Sequence, residues 1–377
     1  MNMNEHDIKE HAHTLDTKRT GNVVFITGAA GYVGTMLVKK FAAREDVEQV
    51  IGLDKEPIPE FILDTNKFTY LQLNTADEWE KMVAMYVPNI VIHTAWHIRE
   101  LYGDRKTTWK WNIEGSDKVF EYALSHKEVD RLVHFSTVSS YGAFETNTIA
   151  HEFSEDEPFR KSEYLYAEEK RICEDHLKQI LKNHPDTNTS VSVIRPAAIT
   201  GPRGRFMRIR FGLQSALSGQ LKDNFIYKII SALVSFVPVT KKWLRQFIHE
   251  DDIVALVERL AFGEKVQGLQ IFNACPPGEP VLGADMARAV NKMMVPVPEW
   301  LVRIGFYIFW HISRGKVPTG PGAWRGYSYP IRVTGEKATR ELGFKYTRTS
   351  FDAFYYTDGE YEWSVPEGSR RKKVTIA

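Results

Sequence analysis

Short apolar runs rich in β-branched residues recur through the first two thirds of the chain. The runs are VVFIT (23–27), QVIGLD (49–54), FTYLQL (68–73), IVIHTA (90–95), RLVHFST (131–137), VSVIRP (191–196) and LQIFNA (269–274). Continuous apolar runs of this length are typical of strands that are covered on both faces. Helical patterns lie between most of them, for example YVGTMLVKKFAAR (32–44) and EEKRICEDHLKQILKNH (168–184). The alternation predicts an α/β fold of the Rossmann type, with a doubly wound parallel sheet of about seven strands.

The alternation stops between residues 201 and 246 and again after about residue 275, where Pro, Gly and Trp interrupt short helical segments. We therefore expect a nucleotide-binding Rossmann domain formed by 22–200 and 247–275. Segments 201–246 and 276–377 would form a smaller, mostly C-terminal substrate-binding cap over the carboxyl ends of the strands, where a doubly wound sheet binds its ligand. The polar residues 1–21 lack the apolar core of a secretion signal and are expected to form a flexible tail.

Two apolar segments of the expected cap, NFIYKIISALVSFVPV (224–239) and WLVRIGFYIFWHIS (300–313), are candidates for the walls of an apolar pocket. The second is short, carries Arg303 and lies between Pro298 and Pro318. Its length favours a buried or pocket-covering helix over a membrane anchor, and no run in the chain reaches the length of a spanning helix.

Charge and cysteine content narrow the class of partner. The chain has 377 residues, with 49 Lys and Arg against 48 Asp and Glu, so no charge excess attracts it to nucleic acid or an anionic membrane. Cys173 and Cys275 lie far apart and form no metal-binding or redox spacing, which favours a reducing cytoplasm and no metal site. The expected partner is a small molecule.

The first predicted strand runs into TGAAGYVG (27–34), which has the spacing of a phosphate-binding turn. Gly28, Gly31 and Gly34 would allow a tight turn, a close approach of the backbone to a pyrophosphate and packing of the next helix. Asp54 ends the second predicted strand, where a carboxylate accepts hydrogen bonds from ribose hydroxyls. This arrangement favours NAD, and the adjacent Lys55 leaves NADP as the alternative. A plain turn residue is the competing interpretation of Asp54.

Tyr166 and Lys170 are four positions apart and would share one face of a helix, whereas Tyr164 would lie on the other side. A neighbouring ammonium and the positive ring of an oxidised nicotinamide would lower the pKa of a tyrosine from its usual value of about 10. Such a tyrosine can remove a proton from an alcohol while the cofactor accepts the hydride. Taken alone, the pair is more typical of a helix surface, so its significance depends on the nucleotide motif.

These motifs occur in the order in which they occur in extended short-chain dehydrogenases/reductases, and the chain resembles this NAD-dependent epimerase/dehydratase family from about residue 22 to residue 345. Further segments that carry the resemblance are LNTAD (73–77), HTAW (93–96), NIEG (112–115), HFSTVSSYG (134–142), YAEEK (166–170), RPAAITGPRG (195–204) and FIHEDD (247–252).

The resemblance implies roles for individual residues. Thr137 takes the place of the catalytic hydroxyl, with Ser136 as the alternative, Tyr166 that of the acid/base, and Lys170 also holds the nicotinamide ribose. The implied cofactor-binding residues, besides Tyr166 and Lys170, are Gly28, Gly31, Tyr32, Val33, Gly34, Asp54, Asn74, Thr75, Ala95, Trp96, Asn112, Pro196 and Ala197. Members of the family often dimerise, which implies a homodimer.

Two further features concern the neighbourhood of this site. His249 is expected to be structural, with Asp251 or Asp252 capping the helix that follows. Arginines before the first cap segment would hold a phosphate or a carboxylate unless they are simply solvated: Arg203, Arg205, Arg208 and Arg210.

Departures from the family pattern narrow the expected reaction. Sugar dehydratases have Asp and Glu after the catalytic hydroxyl, whereas this chain has Val138 and Ser139. Many sugar epimerases have an Asn where this chain has Ala197 and Ala198. The sequence therefore predicts an NAD(P)-dependent oxidoreductase that interconverts a secondary alcohol and a ketone, with an apolar substrate. The alternatives are a nucleotide-sugar epimerase and a non-catalytic NAD(P)-binding protein.

Overall fold

A computed structural model of the protein describes residues 21–204, 236–289, 292–356 and 358–367. The strands are Asn22–Thr27 (β1), Val47–Asp54 (β2), Phe68–Gln72 (β3), Ile90–His93 (β4), Arg131–Phe135 (β5), Glu152–Phe153 (β6), Ser190–Pro196 (β7), Ala198–Thr200 (β8), Phe236–Val239 (β9), Leu244–Arg245 (β10), Phe247–His249 (β11), Leu269–Ala274 (β12), Val281–Leu282 (β13), Met293–Pro296 (β14) and Arg332–Val333 (β15). The α-helices are Tyr32–Ala42 (α1), Glu60–Leu63 (α2), Glu80–Ala84 (α3), Arg105–Trp109 (α4), Gly115–Ser125 (α5), Leu165–Asn183 (α6), Glu250–Phe262 (α7), Gly283–Ala289 (α8), Glu299–Ile312 (α9), Glu336–Leu342 (α10) and Ser350–Tyr355 (α11). The predicted N-terminal tail apart from Gly21, most of the first apolar cap segment, and Arg205, Arg208 and Arg210 lie outside the described residues.

The central sheet has seven strands in the order β12-β7-β5-β4-β1-β2-β3, and every neighbouring pair is parallel. From β1 in the middle the chain winds outward to β3, then returns to β4 and winds to the opposite edge. This is the doubly wound Rossmann topology, and the predicted fold class is confirmed. Each of the predicted apolar runs forms a strand of this sheet, with ends that differ by at most two residues.

Both faces of the sheet are covered, which explains why its strands are apolar throughout. Successive side chains of β1 alternate between two cores, since Val24 and Ile26 belong to one and Val23 and Phe25 to the other. Helices α1, α7 and α10 supply the first core, and α3, α5 and α6 supply the second. Complete burial of an apolar side chain of this size contributes roughly 1.5–3 kcal/mol to the free energy of folding. The buried strands are therefore a main source of the stability of the sheet.

Short strands connect the segments assigned to the cap. β9 pairs with β14 in parallel and β10 pairs with β13 antiparallel, so residues on both sides of β12 in sequence fold against each other. A third apolar core there includes Val239, Trp243, Val281, Ala353 and Phe354. The predicted boundaries between Rossmann domain and cap stay a prediction.

Helix α9 forms where the second apolar cap segment predicted a buried or pocket-covering helix. The first alternative is wrong, because most of the helix is exposed, and the second stays a prediction. Trp310 is its only fully buried residue. The apolar stripe continues around the helix onto the solvent side, where no described residue covers it. Within the described ranges, no helix is both long and apolar enough to cross a bilayer.

A buried ion pair fastens α6 to the sheet. Arg195 on β7 donates to both carboxylate oxygens of Glu174, at 3.0 Å from Nε and 2.7 Å from Nη2, and the two side chains are only 3% and 1% exposed. The Arg195 guanidinium also donates to the Tyr141 hydroxyl at 2.8 Å and lies over the Phe159 ring. Because neither charge reaches water, each depends on the other for its stability.

We expect Glu174→Leu to lower the free energy of unfolding by about 3–5 kcal/mol, since it leaves the Arg195 charge buried without its partner. Urea denaturation measures this change. The matched control is Glu78→Leu, which removes an exposed carboxylate that pairs with Lys118 at 2.8 Å and should leave the denaturation midpoint nearly unchanged. Equal losses in the two variants would contradict a special role for the buried pair.

Candidate active site

The predicted site residues gather at one edge of the sheet because they follow the carboxyl ends of parallel strands. Gly28 follows β1, Asp54 ends β2, Ala95 lies after β4, Thr137 follows β5 and Pro196 ends β7. The order of strands reverses between β1 and β4, and a crevice opens at such a reversal. The topology therefore brings together residues that are far apart in sequence.

The glycine turn allows β1, α1 and β4 to approach without intervening side chains. Gly28 has φ +74°, and a Cβ there would lie 2.6 Å from the Ala95 nitrogen and 2.7 Å from the Thr94 hydroxyl oxygen. A Cβ on Gly34 would overlap the carbonyl of Gly28. Gly31 precedes α1, whose first residues are Tyr32 and Val33. The amino end of this helix lies at the edge of the sheet where the carboxyl ends of the strands meet, and its partial positive charge suits an anion.

Asp54 is held in place by the backbone. Its Oδ2 accepts a hydrogen bond from the Ala30 N–H and its Oδ1 accepts one from the Glu56 N–H, both at 3.1 Å. Burial raises the pKa of Asp54, and these two donors oppose that shift. The neighbouring Lys55 pairs with the Glu56 carboxylate and lies 5.0 Å from the centre of the Trp111 ring. The carboxylate and the ammonium at this strand end therefore have separate partners.

Tyr166 and Lys170 both lie on α6, as predicted, but the position of Tyr164 differs from the prediction. Tyr164 precedes the helix and has an extended backbone, with φ −77° and ψ 105°. Its ring centroid lies 5.7 Å from that of Tyr166, so it is a neighbour of Tyr166 and does not face the other side of the helix. The prediction assumed that both tyrosines lie on the helix, so that its rotation would separate their side chains. Tyr164 lies before the helix begins, and this rotation does not apply to it. Burial raises the pKa of Tyr164.

The ammonium of Lys170 is buried where α6 meets the sheet. It donates a hydrogen bond to the Phe135 carbonyl at the end of β5 and lies 3.6 Å from the centre of the Trp96 ring. Burial lowers the pKa of Lys170 to about 7, although Cys173, Glu174 and Glu169 on the same helix oppose the shift. Trp96, which is itself a predicted cofactor-binding residue, thus contacts the predicted catalytic residue Lys170.

Thr137 lies next to the beginning of α6. It caps the 3₁₀-helix Val138–Tyr141, with its hydroxyl oxygen accepting from the Ser139 N–H at 3.2 Å. The Ser140 hydroxyl in that turn donates to the Ala167 carbonyl at 2.9 Å, one residue after Tyr166. This bond and the bond from Lys170 to Phe135 attach α6, which carries Tyr166 and Lys170, to the segment that carries Thr137. The alternative hydroxyl, that of Ser136, is buried.

Three of the predicted cofactor-lining residues use their side chains within the protein. Asn112 lies in the π-helix Lys110–Glu114, accepts from the His97 N–H at 2.7 Å and donates to the His97 carbonyl at 3.0 Å and to Glu169 at 2.7 Å. Asn74 accepts from the Ala76 N–H at 2.9 Å and closes a turn, while the buried Thr75 hydroxyl donates to the Trp111 carbonyl at 3.5 Å. These bonds fix the loops that carry the three residues, and their contact with a cofactor stays a prediction.

The backbone beyond β7 is equally well fixed. Pro196 is buried, and the N–H of Ala197 donates to the carbonyl of Ala274 at 3.0 Å, which joins the ends of β7 and β12. Ala197 is only 5% exposed. This short apolar segment leads into β8, whose partner is β11.

The cluster around Glu250 was missed in the sequence. The Tyr32 hydroxyl donates to the Glu250 carboxylate, which also accepts from the backbone N–H groups of Arg203 at 3.2 Å and Gly204 at 3.0 Å. The Arg203 guanidinium donates to the Thr35 hydroxyl at 2.7 Å and lies 3.7 Å from the centre of the Phe61 ring. Arg203 is buried, so of the two alternatives left open for it, that of a solvated arginine is wrong. The sequence signal that could have indicated this cluster is the run of three acidic residues, Glu250 to Asp252, directly after β11.

His249 is structural, as expected, but the expected caps of α7 are wrong. His249 itself caps the helix, with Nδ1 accepting from the Asp251 N–H at 3.2 Å. Asp251 instead accepts from the Glu360 N–H at 3.0 Å, and Asp252 accepts from the Thr347 N–H at 2.9 Å. The two carboxylates therefore attach the C-terminal segment to α7.

Two histidines lie behind Lys170 on β4 and β5. His93 Nδ1 lies 2.6 Å from the Thr27 hydroxyl oxygen and its Nε2 lies 2.8 Å from that of Ser116, and its ring stacks on His134 at 5.2 Å. Burial lowers the pKa of His93 to about 3 and that of His134 well below its usual value, with the nearby Lys170 contributing to both shifts. Across the described ranges, no group of three or more His, Cys, Asp or Glu side chains is arranged to hold a metal ion.

Comparison with known proteins supports the fold and the family. The crystal structure of the Bordetella bronchiseptica enzyme WbmG in complex with NAD is 19% identical and superposes with a TM-score of 0.64, covering 94% of this chain and 98% of that one. A UDP-glucose 4-epimerase from Thermotoga maritima, with UDP-glucose, is 17% identical, with a TM-score of 0.63 and coverage of 88% and 96%. At these identities the likeness shows the fold.

Sequence comparison agrees. Protein CapI of Staphylococcus aureus is 26% identical over 256 residues, which cover 63% of this chain and 68% of that protein. The profile of one protein family matches residues 24–275, more than half of the chain, and this match includes the glycine turn, Asp54 and the Tyr166–Lys170 helix. The protein therefore belongs to the NAD dependent epimerase/dehydratase family.

Proposed function

We propose that the protein is an NAD-dependent oxidoreductase that transfers a hydride between the nicotinamide and a secondary alcohol or ketone. The observation that carries this proposal is the position of Lys170. Its buried ammonium is bonded to the end of β5, beside Thr137, on the same helix as Tyr166. Burial of an ammonium is costly, and its place on the helix of Tyr166 supports a chemical role over a non-catalytic nucleotide-binding protein.

The residues at the sheet edge fit a dinucleotide. The glycine turn and the amino end of α1 would hold the pyrophosphate, and Asp54 would accept hydrogen bonds from the adenosine ribose. Lys55, paired with Glu56 and next to Trp111, has other partners, which supports NAD over the alternative NADP. In this proposal, 22–200 and 247–275 bind the cofactor, and 201–246 and 276–377 bind the substrate.

The proposed chemistry assigns one task to each side chain. The bound nicotinamide supplies the hydride acceptor or donor. Tyr166 removes the hydroxyl proton of the alcohol, and the Lys170 ammonium favours the phenolate that does so. Thr137 donates a hydrogen bond that orients the substrate oxygen. Val138 and Ser139 provide no carboxylate beside Thr137 that could eliminate water.

The surroundings of Tyr166 support an apolar substrate. Tyr164 and Trp96 line the same region, since one ring lies against Tyr166 and the other against Lys170.

The second candidate function is a nucleotide-sugar epimerase, which the structural relative with bound UDP-glucose favours. An epimerase would use the same groups to oxidise and re-reduce one sugar carbon, without net consumption of NAD. The implied homodimer and the cytoplasmic location stay predictions.

In a screen of secondary alcohols, ketones and UDP-sugars with NAD or NADH, we expect net oxidation or reduction of the nicotinamide, followed by its absorbance. Tyr166→Phe should then lower turnover by about 10²–10⁴-fold, because the proton acceptor is lost, while the dissociation constant of NADH stays nearly the same. Tyr164→Phe is the matched control and should retain most of the turnover. Full activity of Tyr166→Phe would refute the mechanism, and conversion of a UDP-sugar without net change in NADH would favour the epimerase.

The buried ammonium of Lys170 should make stability depend on pH. Its pKa in the folded protein, about 7, is lowered from 10.5, so burial penalises the folded state fully below pH 7. The penalty declines as pH rises from 7 towards 10.5, because the folded protein has lost this proton while the proton on the unfolded chain stabilises that chain less and less. Lys170→Met removes the effect. The stability of this variant relative to the wild type should therefore fall by up to about 4 kcal/mol between pH 7 and pH 10.

Urea denaturation at a series of pH values measures this difference. Lys178→Met, on the exposed side of the same helix, is the control and should show a difference from wild type that does not change with pH. If the Lys170→Met difference is also independent of pH, Lys170 is not buried as an ammonium.

The carboxylate of Asp54 should determine the cofactor preference. Asp54→Ala removes the charge that would repel a 2′-phosphate, so the ratio of the NADPH to the NADH dissociation constant should fall by about tenfold or more. Fluorescence titration measures both constants. Asp64→Asn removes an exposed carboxylate nearby in sequence and should leave the ratio unchanged. An unchanged ratio in Asp54→Ala would mean that Asp54 is only a turn residue.

A further inference from the structure

Helix α9 has one face that packs on the protein. The Phe306 ring lies 5.0 Å from that of Tyr327, and the buried Trp310 ring lies 5.4 Å from that of Tyr102. The Tyr102 hydroxyl also hydrogen-bonds His311 Nδ1 at 2.9 Å. These contacts fix the orientation of the helix and so determine which side faces solvent.

The solvent side of α9 is apolar apart from the exposed His311, whose ring lies 4.4 Å from that of Tyr307. Six side chains at helical spacing are each between 45% and 79% exposed, and together they form what we term the α9 apolar face: Trp300, Leu301, Ile304, Tyr307, Ile308 and Ile312. Single exposed apolar residues are common on proteins, but a contiguous face of this kind marks a surface that meets an apolar partner.

Basic residues adjoin this face. Arg314 and Lys316 follow the helix directly and are exposed, and the exposed Arg303 lies on its flank. The helix itself contains one acidic residue, Glu299 at its beginning. Aromatic and aliphatic side chains on one face, with arginine and lysine beside them, are the combination that favours the boundary between lipid headgroups and acyl chains.

We propose that the α9 apolar face binds to the surface of a phospholipid bilayer that contains anionic lipids. At 14 residues the helix is about 21 Å long, too short to span the hydrocarbon core but suited to lying in the plane of the interface. The isoleucines, Leu301 and Trp300 enter the acyl boundary, while Arg314 and Lys316 meet lipid phosphates. The near-zero net charge of the whole chain does not oppose this, because the attraction is local.

The docked helix would lie beside the candidate active site. Gly322, ten residues after α9, approaches the backbone of Tyr164 so closely that a Cβ would overlap it. Tyr102, on the loop that follows Trp96, contacts Trp310 and His311 near the end of the helix. An apolar alcohol or ketone dissolved in the bilayer would therefore reach the cleft by a short path. Binding to the membrane goes beyond the proposed reaction, and its test needs no substrate.

The experiment is flotation of the full chain with vesicles of phosphatidylcholine containing 30% phosphatidylglycerol, compared with vesicles of phosphatidylcholine alone. We expect the wild type to float with the anionic vesicles. Ile304→Glu/Ile308→Glu should weaken this binding by about tenfold or more, because it places two charges at the acyl boundary. Arg314→Gln/Lys316→Gln should reduce binding to the level seen without phosphatidylglycerol.

The matched control is Leu63→Glu/Met82→Glu, which adds the same charge at two exposed apolar positions on other helices and should float like the wild type. Equal binding of the two double-glutamate variants, or no flotation of the wild type, overturns the proposal. A wild-type dimer that Ile304→Glu/Ile308→Glu dissociates, without vesicle binding, would assign the face to a second copy. A large fall in melting temperature of that variant alone would show that another part of the chain covers the face.

Discussion

The hydrogen bond from the Lys170 ammonium to the Phe135 carbonyl is the contact on which the candidate active site depends, because it fixes α6 on the end of β5. A buried ammonium is costly, and here the carbonyl, the face of the Trp96 ring and the acidic residues of α6 offset part of that cost. One turn further along the helix, the ion pair of Arg195 and Glu174 attaches it to β7. Tyr166 is thereby presented at a fixed place on a rigid helix.

The rest of the site follows from the topology of the sheet. Parallel strands place all their carboxyl ends at one edge, so residues from five strands meet there without any of them being close in sequence. The side chains of Asn112, Asn74 and Thr75 bond within the protein and keep the connecting loops in place. The same edge thus combines a backbone cradle that suits an anion with a tyrosine and lysine pair that suits proton transfer.

Helix α9 is subject to a different constraint. It packs on the protein through few residues, chiefly Phe306 and Trp310, and turns most of its apolar surface to solvent. A helix that is apolar on nearly all sides needs a second apolar partner. Together with the proposed oxidoreductase chemistry, a bilayer partner would join two features of the sequence that are otherwise unrelated: Ala197 and Ala198 where many sugar epimerases have an Asn, and the apolar segment that forms α9.

The sequence by itself determined the seven strands, the order of strand and helix, the glycine turn and the placement of Tyr166 and Lys170 on one helix, because periodicity and turn chemistry are local properties of the chain. The tertiary structure decided what each side chain meets. Tyr164 lies beside Tyr166 because the helix begins after it, and His249 caps α7 because both following carboxylates bond distant segments. The exposure of α9 was equally hidden, since an apolar run has the same sequence whether protein, lipid or water lies against it.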